Sequence, residues 1–227
     1  MASSPPSRLT PLQSELLSGF FAHEKRFFLT GGAALAGFYF GHRGTDDLDF
    51  FSAPGPDLAD AARAVDAAAT ACGATATPER TYADFRRIVA RRRDEECVVD
   101  LVIDRAPSVD PDKARFGDIV VDTKREIAAN KICALLSRSE IKDLLDLQVL
   151  VSSGIDLHRA FEDASKKDAS ADPATLSWVL GDLAIGPEAR LPSGADPVAL
   201  ERFRADFVRL LRSEAFTIAR GGTKTSE

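Results

Sequence analysis

Asp47 and Asp49, separated by Leu48 in the stretch DLDFFS, are the residues of this sequence best placed to do chemistry. The stretch alternates polar and apolar residues and predicts a strand. Residues two apart on a strand share a face, so the two carboxylates emerge side by side, roughly 6–7 Å apart at Cα. Like charges held that close repel unless a cation sits between them. Hard divalent ions suit the pair, because they take oxygen ligands, and Mg²⁺ keeps waters and is completed by substrate phosphates. Leu48, Phe50 and Phe51 tie the strand to a core, whereas Asp46 faces the other way and is not assigned to a metal.

Upstream, the apolar segment RFFLT ends on Gly31-Gly32 and leads directly into AALAGFYFG, which reads as a helix. That arrangement leaves backbone N–H groups at the positive end of a helix, with glycine letting the backbone approach a ligand closely. Phosphate is the natural guest. A third carboxylate, Asp100 in CVVDLVID, shares a strand face with Val98 and Val102. A charge flanked by valines needs a partner or a metal; Asp100 fits a third ligand or a base. Arg43, between the glycines and the aspartates, could meet a triphosphate or pair with Asp46.

The surrounding elements divide the chain in two. Thr10-Pro11-Leu12-Gln13 is a capping box with a first-turn proline and opens a helix to about Glu24. Strands follow at RFFLT and DLDFFS, then an alanine-rich helix ending near Gly73, then strands at about 84–90 and 97–103 joined by RRRDEE as a hairpin. The segment DRAPSVDPDKARFG reads as a loop. From Thr123, a second capping box, the pattern is helical throughout, with Asp172-Pro173 and Asp196-Pro197 each opening a helix. The predicted fold is α/β (α+β): a small mixed β-sheet core over residues 1–122 and an all-helical half over 123–227. The first eight residues and the GGTKTSE tail are expected to be disordered. Trp178 and the Phe203, Phe207, Leu210, Leu211 stripe read as helical core.

A net charge of −6 over 227 residues excludes a global basic field for nucleic acid. The arginine run at 86–93 could grip RNA phosphates or form a solvated edge paired to Asp94, Glu95 and Glu96. Three scattered cysteines suit reduced thiols. The longest apolar run is too short to span a bilayer, and MASSPPSRLTP lacks the apolar core of a signal peptide. A cytoplasmic protein with no membrane partner is expected.

The stretch GGAALAGFYFGHRGTDDLDFF resembles the signature of the DNA polymerase β-like nucleotidyltransferase superfamily, a Gly-Gly turn followed by paired aspartates on a strand. GHR leading into DLDFF, and NKICALLSRSEIKDLLDL further on, resemble the AbiEii/AbiGii abortive-infection toxins. The resemblance implies that Gly31, Gly32 and Ala33 line a triphosphate, that Asp47, Asp49 and Asp100 hold Mg²⁺ or Mn²⁺, and that Lys131 neutralises phosphate. It further implies that Lys142, Asp143 and Asp146 border the nucleotide, with Asp143 among the catalytic residues; Arg138, seven residues after Lys131 and so on the same helix face, could extend a phosphate track. Ala33 departs from the usual Ser or Thr, and Lys142 stands where Arg is also common. The implied reaction moves a nucleoside monophosphate from an NTP to a hydroxyl of RNA, foremost tRNA, in a toxin with a cognate antitoxin. A protein or small-molecule acceptor is the alternative within the same chemistry. A non-catalytic nucleotide- or antitoxin-binding module is the alternative outside it. The helical half would complete the active-site cleft.

Overall fold

The computed structural model describes residues 7–185, 191–192 and 194–221. The described part of the chain separates into two compact units, one formed by residues 1–106 with 110–123 and the other by 107–109 with 124–227.

The first unit is built on a seven-stranded mixed sheet. Helix α1 (Pro11–His23) precedes β1 (Phe28–Thr30), α2 (Gly31–Ala34) and β2 (Asp47–Ser52). Then come α3 (Leu58–Ala71), β3 (Thr75–Thr81), β4 (Phe85–Arg92), β5 (Glu95–Ile103), β6 (Ala114–Phe116) and β7 (Ile119–Val121). The sheet order is β3-β4-β5-β2-β1-β7-β6. The β2–β5 and β1–β7 pairs are parallel; the other neighbours are antiparallel.

Helices α1 and α3 pack on one face of this sheet. The Thr10 capping box forms as its sequence dictates, Thr10 accepting from Gln13 N–H and Gln13 accepting from Thr10 N–H. The helices meet closely at Gly19, where an added Cβ would lie 2.7 Å from the Ala68 Cβ. Phe20 stacks on Phe50 at 4.1 Å between ring centroids, with Phe21 and Phe27 edge-on to Phe20. Leu48, Phe50 and Ser52 of β2 are buried and Asp47, Asp49 and Phe51 half-exposed, the alternation of a strand with one covered face.

Three strands lay outside the sequence reading. β3 carries Pro78 and an exposed, polar face, as an edge strand does. β6, within the segment read as a loop, and β7, just after it, form a small hairpin of three residues each. The helix predicted over AALAGFYFG opens two residues earlier, at Gly31, and widens into a π-type segment, Leu35–Tyr39. Phe40 and Gly41 both donate their N–H groups to the Leu35 carbonyl there.

The second unit holds α4 (Lys124–Arg138), α5 (Ile141–Ser152), α6 (Leu157–Lys167), α7 (Pro173–Asp182) and α8 (Pro197–Gly221). Asp172 and Asp196 cap α7 and α8 by accepting from backbone N–H groups one turn in. Phe207 and Leu211 are buried as the stripe predicts, but Trp178 is 68% exposed. Leu176 and Leu180 face the core, and Trp178, two residues from each, is rotated about 200° to the opposite side. At the chain ends, residues 1–6 and 222–227 lie outside the described residues, so the disorder expected there has no counterpart in the description. Arg8 is ordered: its N–H donates to the Ala36 carbonyl at 3.1 Å and its Nε to the Gly41 carbonyl at 3.2 Å. No helix among the described residues is long and apolar enough to cross a membrane.

Candidate active site

The half-exposed face of β2 carries the two aspartates that the sequence singled out. Asp47 pairs in register with Val98, and Asp49 with both Thr30 and Asp100. The loop before β2 is anchored to α1, where the buried Gln13 amide donates to the Thr45 carbonyl at 2.8 Å. Thr45 Oγ1 in turn donates to Asp47 Oδ1 at 2.5 Å. Asp47 therefore has a fixed rotamer while still reaching solvent.

Both glycines are required by what packs on them. Gly31 has φ +64°, and a Cβ there would lie 2.3 Å from Asp49 Oδ2. An L side chain would meet strain and collision together. A Cβ on Gly32 would lie 2.7 Å from Arg43 Nη2 and 3.2 Å from Thr45 Oγ1. Arg43 itself is buried and donates from Nη1 to the Gly44 carbonyl at 2.8 Å. The Gly-Gly turn thus makes room for a carboxylate and a guanidinium of its own chain. Ala33, expected to line the triphosphate, is fully buried and packs in the core beside Ala34 and Leu35. Its place in the first turn of α2 turns the methyl inward.

Asp100, expected as a third ligand or a base, stands in register beside Asp49. It is 7% exposed, and Arg87 of β4 holds it in a bidentate pair, Nε to Oδ1 at 2.8 Å and Nη2 to Oδ2 at 2.7 Å. The hydrogen bond to Asp100 keeps the Arg87 guanidinium firmly charged. No group of three His, Cys, Asp or Glu side chains among the described residues is arranged to hold a metal ion. Asp47 and Asp49 lie on the half-exposed face of β2, with Asp100 in register beside Asp49 and ion-paired to Arg87. Two carboxylates suit Mg²⁺, which keeps waters and accepts phosphate oxygens.

Sequence reasoning missed the buried group behind the glycine turn. Asp122, fully buried at the end of β7, accepts from Thr30 Oγ1 at 2.8 Å and from Lys113 Nζ at 2.7 Å. Its N–H donates to the Leu29 carbonyl, and its own carbonyl accepts from the Tyr39 hydroxyl at 2.8 Å. Burial, with Asp122 and Asp110 near, pushes the Tyr39 hydroxyl up to about 12, so it stays a donor. Residues on both sides of Gly31-Gly32 are thus tied to Asp122, Thr30 through its carboxylate and Leu29 and Tyr39 through its backbone. The clue was available: Asp122 ends the apolar run IVV, the context that drew notice to Asp100.

In the helical unit, Lys131 joins α4 to α5. Its Nζ lies 2.8 Å from Asp143 Oδ1 and 2.6 Å from Asp146 Oδ2, and it is only 5% exposed. Both aspartates are fully buried. Arg138 adds a second cation, Nε to Asp143 Oδ2 at 2.8 Å and Nη2 to Oδ1 at 2.9 Å. Burial opposes each of these charges. The Arg138 hydrogen bonds and the Lys131 charge nevertheless hold Asp143 below the usual carboxylate range, and Asp146 and Asp143 hold Lys131 above the usual amine value. Lys142, half-exposed, pairs with Glu140 at 3.0 Å. Expected phosphate and nucleotide groups are thus brought together here as a closed network, with Arg138 and Lys142 as its solvent-reaching cations.

The fold has relatives of known structure. A protein from H. pylori, named in its description as only a provisional nucleotidyltransferase, is 18% identical with a TM-score of 0.58, covering 91% of this chain and 94% of its own. The nucleotidyltransferase toxin MenT4 (Rv2826c) of Mycobacterium tuberculosis H37Rv is 17% identical with a TM-score of 0.55, covering 86% of this chain and 80% of its own. No curated protein matches the sequence. The model of one family, the nucleotidyl transferase AbiEii toxins of type IV toxin–antitoxin systems, matches residues 15–219. With both the sheet and the helical half inside that match, this chain belongs to the AbiEii nucleotidyltransferase toxin family.

Proposed function

We propose that the enzyme transfers a nucleoside monophosphate from an NTP to a hydroxyl of RNA, foremost tRNA, in a cytoplasm, under the restraint of a cognate antitoxin. One observation carries the reading: Asp47 and Asp49 stand side by side on a solvent-reaching strand face, with Gly31 held against Asp49. In this reading the acceptor oxygen forms a bond to the α-phosphorus as the bond to pyrophosphate breaks, and the hydroxyl proton leaves to a carboxylate. A divalent cation would be held by Asp47 and Asp49, with Asp100 as the third carboxylate, and would neutralise the triphosphate and the leaving group.

The chain's own residues orient the partners. Thr45 fixes Asp47, and Asp122 fixes the glycine turn through Thr30. Asp100 is the proton acceptor, and since both its oxygens accept from Arg87, that pair must loosen as the proton arrives. In the helical unit, Lys131, Lys142, Asp143 and Asp146 are the groups assigned to the nucleotide, Lys131 to neutralise phosphate charge. The three cysteines are free thiols, in keeping with a reducing compartment.

The test is label transfer. The protein is incubated with each α-labelled NTP, Mg²⁺ or Mn²⁺ and total RNA, beside an Asp47→Ala control, and RNA is resolved from protein. Label in an RNA band that disappears with Asp47→Ala is the expected result. Label on protein, or on neither, overturns the RNA acceptor.

A further inference from the structure

The face of the sheet that presents Asp47 and Asp49 extends past Asp100 to a free edge. Thr30, Asp49, Asp100, Arg87 and Arg80 occupy one register line across β1, β2, β5, β4 and β3. Cross-strand partners share a face, so two carboxylates are followed by two guanidiniums in a single row. The next line reads Phe28, Phe51, Val102 and Phe85, each partly exposed. Beyond it, Tyr82 is 66% exposed, with its ring 6.2 Å from that of Phe85. Arg87 lies over the Phe85 ring at 5.8 Å.

The arginine run is sorted by this geometry. Arg91 pairs with Glu96, and Arg92 with Glu95 and Glu15. Arg86 is in register with Leu101, on the face that the helices cover. Arg80, by contrast, is exposed and makes no ion pair among the described residues. It stands directly across from Arg87 because the register shifts at Glu79, a bulge on the edge strand. Like charges opposite one another are unfavourable, and bulges that re-aim a side chain collect next to active sites. Arg87 is balanced by Asp100. Arg80 is left facing solvent beside two aromatic rings.

Cations spaced along a strip with exposed rings between them fit a single-stranded polynucleotide, whose phosphates meet the cations and whose bases stack. An acidic peptide would use the charges but not the rings. We propose that Arg80, Tyr82, Phe85 and Arg87 form the track for the single-stranded end of an RNA acceptor. Its phosphates lie on the two guanidiniums, a base stacks on Tyr82, and the strand runs toward Asp100 and Asp49. This rests on the RNA reading above, and it places the acceptor's approach on the β3–β4 side.

The experiment is fluorescence anisotropy with a labelled single-stranded RNA oligonucleotide, without NTP or divalent metal, on the full chain. Tyr82→Ala should weaken binding about tenfold, the size of one lost base stack, while Tyr82→Phe keeps it. Arg80→Ala should lower the slope of log Kobs against log salt by about 0.7, one phosphate contact on a single strand. Arg63→Ala, on α3, should change neither. Wild-type protein that does not bind the oligonucleotide overturns the track. So do Tyr82→Ala and Arg80→Ala binding as wild type does, and an acidic peptide or duplex RNA bound with the same Tyr82 dependence. Label transfer by the wild type separates the two readings. Transfer to RNA with unchanged RNA affinity in the variants removes the track alone, and Tyr82-dependent binding without any transfer removes the acceptor reading alone.

Discussion

Asp47 and Asp49 on β2, and Asp143 and Asp146 on α5, are both pairs of carboxylates close in sequence, yet their surroundings differ. The β2 pair projects from a strand whose other face is locked by Phe50 against Phe20, and it reaches solvent. The α5 pair, one helical turn apart, is fully buried and neutralised by Lys131 and Arg138 within 3 Å. The first arrangement keeps its carboxylates at the surface. The second uses its charges internally, and such a network is sensitive to loss of any one member, because a remaining buried charge has no water to solvate it. Accessibility, more than residue type, separates the two pairs.

The sharpest way to break this contrast is to remove one member of each pair's neighbourhood. Asp47→Asn should cost roughly 10⁴-fold in turnover, about 5 kcal/mol of barrier, with little change in the urea midpoint, since the side chain is half-exposed. A large loss of stability would show that Asp47 holds the fold. Lys131→Ala should behave in the opposite sense, lowering unfolding stability by about 3–5 kcal/mol as Asp143 and Asp146 lose their counter-charge. Retained stability with activity abolished would instead make Lys131 a group that meets phosphate directly.

Gly31→Ala should cost about 1–2 kcal/mol from its φ of +64°, and it should reduce activity as well, because the methyl displaces Asp49 Oδ2. Thermal melts and single-turnover rates together check it; unchanged rates would separate the turn from the carboxylates. The pH dependence sharpens the contrast further. Asp143, and Asp163 of α6 through its ion pairs with Arg125 and Lys166, are held below the usual 3.8 despite burial. Their contribution to stability is present above 3.8 and is lost as pH falls through the lowered folded values. Lys131 is held above the usual 10.5 against its desolvation, so its contribution is complete below 10.5 and is lost as pH rises through the raised value. Urea titrations across pH should show the helical unit weakening at both ends. At the small end, Trp178→Ser should change stability by no more than about 0.5 kcal/mol, as befits an exposed residue.

How much of the site could be read before the fold is clearest residue by residue. The sequence by itself determined the Asp47, Leu48, Asp49 alternation, the glycines ahead of it, the Thr10 capping box and the change from mixed to all-helical character at Thr123. These are local rules: a period of two, a positive φ, a side chain that caps its own turn. It missed β3, β6 and β7, whose short or polar runs carry no period, and it placed Trp178 in the core on hydrophobicity alone. Tertiary structure decided the rest. Arg87 reaches Asp100 only because β4 and β5 pair in that register, and Asp122 reaches Thr30 across 92 positions of chain. The sequence reads Lys131 as a residue that neutralises phosphate, and only the packing of α5 on α4 shows both aspartates at its ammonium. Which charge neutralises which depends on distance and burial, and those are set by packing between elements far apart in sequence.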